Sequence, residues 1–442
     1  MNTTVERQAN ERPEKVSELI ASALVPLPPA NWAESGLPFD FLVDLMLKTF
    51  FNGGSLSQWE LGERLKLPVA VIEPLLDFLR AESLCEVTRR DLGSAQISYQ
   101  LSGPGRLRAE ASLQKSHYCG PAPVSLKAYV AQVESQSIAR MRVSRTALNS
   151  ALNGVVMPQH LREDLGAAIN SCRPVLLYGP SGSGKTYIAE HLVNALSGQI
   201  YVPYAILVDG EVIQIFDPLV HHAIPSMTQE HVLDRWNGVD ARWTLCRRPV
   251  AMSGGELTLP MLDLQFDVHS RFYVAPPQVK ANNGLLIIDD LGRQLVTPRD
   301  LMNRWIVPLD RRIDHFALHT GKKFSLPFDA HVIFSSNLQP LELADEAFLR
   351  RLGYKIFVGE MASDDYRQVF IQACERSGVG FSEAAFDYLL RECHQACKQA
   401  LLACTPFDLV SMICDQAAYL DKPPEMTKET LNWAWQTYFA RA

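Results

Sequence analysis

The sequence predicts an α/β protein. The expected core is an αβα sandwich on a parallel sheet, followed by a C-terminal helical lid and preceded by a small α+β domain. Three stretches carry the prediction. "PVLLYGPSGSGKTYIAEHLVNAL" reads as a short apolar strand, a glycine-rich loop and an amphipathic helix. "GLLIIDDLG", residues 284–292, reads as a buried strand that closes on two adjacent carboxylates, Asp289 and Asp290. From about Ala362 onward the chain is helix-rich, with "SDDYRQVFIQACERSG", "PFDLVSMICDQAAYL" and "TKETLNWAWQTYF" as its clearest segments.

The chain has 442 residues, 47% of them hydrophobic, which is enough for two or three packed domains. No run reaches the roughly 18 apolar residues that a membrane span needs. The start, "MNTTVERQANERPEK", is polar and lacks an apolar stretch, so the expected location is the cytoplasm, with no membrane insertion. A formal net charge of −7 gives no bulk sign of a nucleic-acid or acidic-membrane binder, although a local basic strip would not show in that number. Nine cysteines are scattered without a C-x-x-C pair. Cys393, Cys397 and Cys404 group in a helical stretch and read as reduced thiols of a helical core.

Residues 1–36 are polar, then proline-rich, and read as a flexible leader. From Phe39, "FDFLVDLMLKTFF", "SLSQWELGERL" and "PVAVIEPLLDFLRAE" have the periodicity of three helices, with Ser55 or Ser57 as the N-cap of the second. "LCEVTRR" and "ISYQLSGPGRLRAE" follow as two short strands around a turn and a further helix. This order resembles a winged helix, over residues 37–119. In such a domain the third helix would enter a DNA major groove. Here it carries Glu73, Asp77 and Glu82 against Arg80, a balance that repels phosphate. Arg89, Arg90, Arg106 and Arg108 remain as wing-side candidates for backbone contact. Docking of a protein partner is favoured over DNA reading. Residues 120–147 read as a linker leading into a helix.

The loop at 179–186 fits G-x-x-x-x-G-K-[ST], a match expected by chance in about one or two of a hundred chains of this length. The pattern has a physical basis. Gly182 and Gly184 let the backbone turn its N–H groups inward around phosphate oxygens, in a nucleotide-binding loop made of Gly179, Pro180, Ser181, Gly182, Ser183 and Gly184. The helix beginning near Lys185 adds its positive end, and Tyr187 follows in its first turn. Lys185 would reach the β- and γ-phosphates of ATP, while the Thr186 hydroxyl would ligate Mg2+.

Asp289 is the expected magnesium partner, because ligands of doubly wound sheets sit at the carboxyl ends of the strands. "AHVIFSSNLQPLE" reads as a further strand ending in Asn337, placed to orient an attacking water or to touch the γ-phosphate. About 14 residues on, "ADEAFLRRLGYKI" offers Arg350 and Arg351. Paired arginines at a helix end often form weak surface salt bridges, but an arginine presented across a subunit interface can stabilise γ-phosphate charge.

"GPSGSGKT", "LLIIDD", "SSN" and "FLRR", followed by a small helical domain, resemble the AAA+ ATPases, a superfamily of P-loop NTPases. The resemblance covers about residues 148–441. It implies ATP with Mg2+ bound between the subunits of a homo-oligomeric ring, most often a hexamer. It also makes Asn337 the sensor-1 residue and places Arg350 and Arg351 in the arginine-finger region. "LNGVVMP" resembles the segment that packs on adenine, making Val155 and Val156 base contacts. The chain then divides into a leader (1–36), the winged-helix-like domain (37–119), a linker (120–147), the core (148–361) and the lid (362–442).

Three features depart from that pattern. The acid after Asp289 is Asp290 where Glu is usual, and one methylene withdraws a water-polarising carboxylate by roughly 1.5 Å. A displacement of that size can cost about a hundredfold in rate, so slow but genuine hydrolysis is expected. Helicase-loader-like and transposition-helper-like members also carry two Asp here. In "CTPFDLVSMI", which resembles the sensor-2 segment, Phe407 stands in the arginine's place, leaving Arg391 or a neighbouring subunit to replace it. Finally, the stretch 242–280 reads as an inserted β-hairpin around Gly254–Gly255, as in enhancer-binding activators and MoxR-like ATPases. His221 and His222 read as structural. The function expected is an ATP hydrolase that remodels an unidentified protein partner recruited by the N-terminal domain. The alternatives are a DNA-associated loader or an assembly scaffold that hardly hydrolyses.

Overall fold

The computed structural model describes residues 25–90, 97–225 and 238–439. Most of the expected leader (1–24) and the side chains of Arg89 and Arg90 lie outside the described residues.

The N-terminal unit has helices Phe39–Gly53, Gln58–Leu65 and Val69–Ala81, then strands Cys85–Arg90 and Ile97–Leu101, then helix Gly103–Lys115. Ser57, not Ser55, starts the second helix. Its hydroxyl accepts the Glu60 amide (3.3 Å) while the Glu60 carboxylate accepts the Ser57 amide (2.7 Å), which satisfies two end donors reciprocally. The short strand Leu56–Ser57 joins the two later strands in an antiparallel sheet with Ile97–Leu101 at its centre. Glu73, Asp77, Arg80 and Glu82 are all exposed on or at the end of the third helix. Arg108 forms an ion pair with Asp44 (3.2 Å), tying the last helix to the first.

The segment expected as a linker is built into the molecule. Val124–Ser125 lies parallel to Ala205–Val208 in a second sheet, ordered Gln265–Asp267, Phe272–Val274, Glu211–Gln214, Ala205–Val208, Val124–Ser125. The helix Leu126–Ser135 buries Tyr129 and Val133 on it. Ala205, Leu207 and Val212 share one apolar cluster with the N-terminal helices, so this sheet joins the two halves of the chain. The hairpin expected around Gly254–Gly255 is also placed differently. Trp243–Arg247 pairs with Gln199–Pro203, and Val250–Ser253 is a parallel strand of the main sheet. The hairpin in this stretch is Gln265–Asp267 with Phe272–Val274. Alternation alone cannot distinguish a hairpin arm from a strand whose partner lies far along the chain. A further hairpin, Ile313–Ala317 with Lys323–Pro327, precedes the Asn337 strand.

The main sheet is wholly parallel, ordered Val250–Ser253, Leu285–Ile288, His331–Ser336, Val175–Tyr178, Tyr354–Phe357. Its strands are apolar on both faces because helices cover both. Val175, Leu177, Leu285 and Ile287 pack with helices Gln159–Ser171 and Lys185–His191, while Leu176, Leu286 and Ile288 pack with Trp305 of helix Pro298–Arg311. Each such fully buried aliphatic side chain contributes about 1.5–3 kcal/mol. The strand order holds the glycine loop, Asn337 and the two acids at one edge, with the Asn337 strand between the other two.

The C-terminal unit is a helical cluster of Ser363–Ser377, Glu383–Tyr388, Thr405–Tyr419 and Lys428–Tyr438 around Tyr366, Phe370, Phe386 and Leu409. The three grouped cysteines separate here. Cys393 is buried in this core, Cys397 is exposed, and Cys404 stands beside the glycine loop. Lys398, with φ of 51°, breaks the helix on which the three were expected.

Two buried histidines make stability depend on pH. His221 accepts the Asp217 amide at Nδ1 (3.0 Å), so its Nε2–H donates to the Lys280 carbonyl (2.9 Å). His331 sits in the main sheet, and its ring nitrogens have no partner among the described residues. Burial pushes both rings down to about 4. The unfolded chain titrates near the ordinary value of about 6.5, so between these values it binds more protons than the folded one. Stability is therefore full above pH 6.5 and falls on acidification towards pH 4. Urea unfolding at pH 6.5 and pH 5 should show a loss of roughly 1–2 kcal/mol per histidine, reduced by about half in His331→Gln. Equal stability at the two pH values would contradict the assignment.

Candidate functional site

The strand Val175–Tyr178 runs into the loop 179–184 and then the helix Lys185–His191. Two glycines are required by this path. Gly179 has φ of 146°, and a Cβ there would lie 2.1 Å from the Val358 carbonyl oxygen. Gly182 has φ of 80°, and a Cβ there would lie 2.4 Å from Cys404 Sγ. Among the described residues, the amides of Ser181, Gly182 and Gly184 donate to no protein oxygen. The Ser183 hydroxyl is likewise buried without a partner.

Lys185 is only 6% exposed. Its ammonium donates to the carbonyls of Gly179 (3.0 Å) and Pro180 (2.8 Å) and to Asn337 Oδ1 (2.8 Å). Burial lowers its pKa, opposed by the carboxylates of Asp289 and Asp290. The other end of the Asn337 amide donates to Asp290 Oδ1 at 3.2 Å. Lys185, Asn337 and Asp290 thus form one hydrogen-bonded chain.

Thr186 donates its hydroxyl to Asp289, whose oxygens lie at 2.9 and 3.0 Å. The Asp290 amide also donates to Asp289 (2.9 Å), and Gln294 donates to the Asp289 carbonyl (2.7 Å), so the acidic turn is held from both sides. One hydroxyl and one carboxylate are hard oxygen donors. That set fits Mg2+, which keeps several waters and takes one or two protein ligands plus phosphate. No group of three or more potential His, Cys, Asp or Glu ligands occurs among the described residues, so the donors do not form a zinc-type cage.

Asp290 has φ of 51°, in the left-handed region. Asp tolerates that region far better than most residues, and this gives a local reason for the shorter acid at this position.

These groups line a cavity of about 540 Å³ between the main sheet and the C-terminal helices. Of the residues expected from sequence, Val155, Val156, Ser181, Gly182, Ser183, Gly184, Lys185, Thr186, Tyr187, Asp289, Asp290 and Asn337 line it. Gly179 and Pro180 lie just outside and act through their carbonyls on Lys185. Arg350 and Arg351 do not line the cavity. Arg350 is exposed and 4.0 Å from Glu346, and Arg351 is held by Asp310 at 3.0 Å. Arg391 is exposed and also absent from the lining.

The C-terminal unit contributes residues that sequence reasoning did not place here: Val369, Gln372, Arg376, Ala403 and Cys404, with Phe407 beside them. The Cys404 amide donates to the Gly182 carbonyl (3.1 Å), fastening this unit to the loop. Only the heptad-like spacing of Val369, Gln372 and Arg376 on one helix face hinted at a shared surface, and it does not say what faces it.

Residues 362–437 match a family described as a domain of unknown function, DUF8689. No curated protein matches the chain. Among solved structures, NtrX from Brucella abortus is similar over 66% of this chain, with 14% identity and a TM-score of 0.40; the chain spans 57% of that protein. The RuvB Holliday junction branch migration motor from Thermotoga maritima is similar over 68% of this chain and 73% of its own, with 10% identity and a TM-score of 0.37.

Proposed function

We propose that this chain is an AAA+-type ATPase that binds ATP with Mg2+ in the cavity and hydrolyses it slowly. The observation that carries the reading is the convergence of three separate strand ends. Thr186 lies within 3.0 Å of Asp289, and Lys185 is linked through Asn337 to Asp290, all beside the glycine loop. Bound magnesium would supply charge neutralisation on the phosphates and would be held by Thr186 and Asp289. The loop amides and Lys185 would bind phosphate oxygens. Asp290 would accept a proton from water, positioned by Asn337.

The exposed position of Arg350, away from the chain's own cavity, supports its completing the site of a neighbouring subunit in a ring, with Arg351 beside it. A hexamer is the favoured assembly. The N-terminal unit, read as a winged helix, would recruit a protein partner. The exposed Glu73, Asp77 and Glu82 favour protein over DNA. No described helix is long and apolar enough to cross a membrane.

The test is equilibrium binding of ATP with and without Mg2+, together with the mass of the chain in solution. Expected are micromolar or tighter binding, strengthened by Mg2+, and a mass that rises to a multiple of the monomer when ATP is added. Absence of ATP binding at millimolar concentration would refute the reading. Binding by the full chain to duplex DNA at low salt would overturn the choice of a protein partner.

A further inference from the structure

The hairpin Ile313–Ala317 with Lys323–Pro327 takes no part in the nucleotide cavity. Burial alternates along it, with Asp314, Phe316 and Leu326 turned in and His315, Ala317, Lys323 and Ser325 turned out. The register sets His315 opposite Ser325 and Ala317 opposite Lys323, and the His315 ring is 2.9 Å from the Ser325 hydroxyl. This outer face and Asp263 beside it enclose a groove of about 500 Å³, with Phe324 in its wall.

The charge of this face is one-sided. The exposed residues of 311–325 include Arg311, Lys322 and Lys323 and no carboxylate, in a chain whose formal charge is −7. The acids around it are already taken: Arg304 holds Asp314 (2.7 Å) and Asp263 (3.3 Å), and Arg351 holds Asp310 (3.0 Å). Arg311, Lys322 and Lys323 have no ion-pair partner among the described residues. The face is also held in place. At the hairpin tip His319 packs on the Phe266 ring, 4.8 Å between centroids, and its amide donates to the Tyr273 hydroxyl (2.7 Å). Phe266 and Tyr273 belong to the hairpin Gln265–Asp267 with Phe272–Val274, where the Ser270 carbonyl accepts the His117 amide of the N-terminal unit (2.9 Å).

We propose that this groove docks an extended, acidic segment of the protein partner. The proposal rests on the protein-partner reading above and not on ATP binding. Side chains two residues apart on a strand are about 7 Å apart. The row of His315 and Ser325 and the row of Ala317 and Lys323 therefore repeat at the spacing with which an extended segment presents alternate side chains. Carboxylates at alternate positions would meet the unpaired lysines, and the small Ala317 leaves room for the segment between them. Nucleic acid is a poorer occupant, because three fixed cations neutralise few phosphates and the Asp263 carboxylate stands in the groove. Lysines on a small sheet also guard its edges against aggregation. That accounts for some charge here, but not for the groove or for the lack of any exposed acid between 311 and 325.

The experiment titrates the full chain, at low and high salt, with three labelled probes. These are a peptide of about ten residues alternating Glu and Thr, the matching Lys and Thr peptide, and an oligothymidylate of similar length. Expected is salt-sensitive binding of the Glu and Thr peptide alone. Lys322→Glu/Lys323→Glu should weaken it about tenfold or more, and Ala317→Trp, which fills the groove without changing its charge, by about as much. Both variants should melt with the wild type, since these side chains face solvent. No peptide binding at low salt, or binding that neither variant weakens, would overturn the proposal. Tighter binding of the oligothymidylate, lost in both variants, would make the face a nucleic-acid surface and overturn the choice of occupant. A chain that binds ATP but not the peptide contradicts this proposal alone, and one that binds the peptide but not ATP contradicts the ATPase reading alone.

Discussion

Replacing Lys185 with alanine is expected to abolish ATP turnover and to weaken ATP binding by about a hundredfold or more. Charge-assisted hydrogen bonds contribute about 1.5–3 kcal/mol each, and Lys185 would make them to two phosphates at once. The structure shows an ammonium already dehydrated, with its three donors aimed at Gly179, Pro180 and Asn337. A phosphate oxygen entering the loop would exchange for these acceptors without the cost of stripping water from the lysine. Alanine also leaves the Asn337 Oδ1 without the ammonium that donates to it, so the unliganded protein should unfold at a slightly lower temperature. Fluorescent ATP binding and phosphate release, measured beside the unliganded melting temperature, separate the two effects. Unchanged ATP affinity in a folded Lys185→Ala protein would contradict the assignment.

The second large effect is expected at Asp290. Asp290→Asn should lower turnover about a hundredfold while changing ATP affinity by only a few-fold, since an amide keeps the volume but cannot accept a proton from water. The carboxylate is positioned by Asn337 Nδ2 at 3.2 Å and stands on a left-handed backbone. Asp290→Glu is a sharper variant. It lengthens the reach by one methylene, but Glu occupies the left-handed region less readily. Its turnover should therefore lie within about tenfold of wild type, because gain in reach and backbone strain oppose each other. An equal loss of binding and turnover in Asp290→Asn would place Asp290 among the magnesium ligands instead of the water-polarising groups.

The grouping of residues at the cavity floor was legible because it depends on short, local signals. A strand, a glycine loop and Lys185–Thr186 follow one another within about a dozen residues, and Asp289 closes an apolar strand whose period is unmistakable. Asn337 was legible from order alone, since it ends the next apolar strand. The cavity roof was not. Arg376 ends a helix, where arginine has an ordinary reason to be, and its place in the lining comes with Phe407, some thirty residues away in sequence but 5.3 Å away in space. The same limit explains the misplaced hairpin. "PVAMS", just before Gly254–Gly255, reads like the first arm of a hairpin, yet Val250–Ser253 pairs in parallel with Leu285–Ile288, and no local pattern announces a partner that distant. The linker failed for a related reason. Val124–Ser125 is only two residues long, and its strand character comes from the edge of Ala205–Val208, which gives its backbone donors and acceptors their partners.

The most direct test of the account is phosphate release from ATP by the full chain, with and without Mg2+, beside Asp289→Ala. The account predicts slow release that requires Mg2+ and falls to background in Asp289→Ala, because Thr186 alone would hold the ion. Release that persists in Asp289→Ala, or no release by the wild-type chain over several hours with Mg2+ and ATP bound, would contradict it.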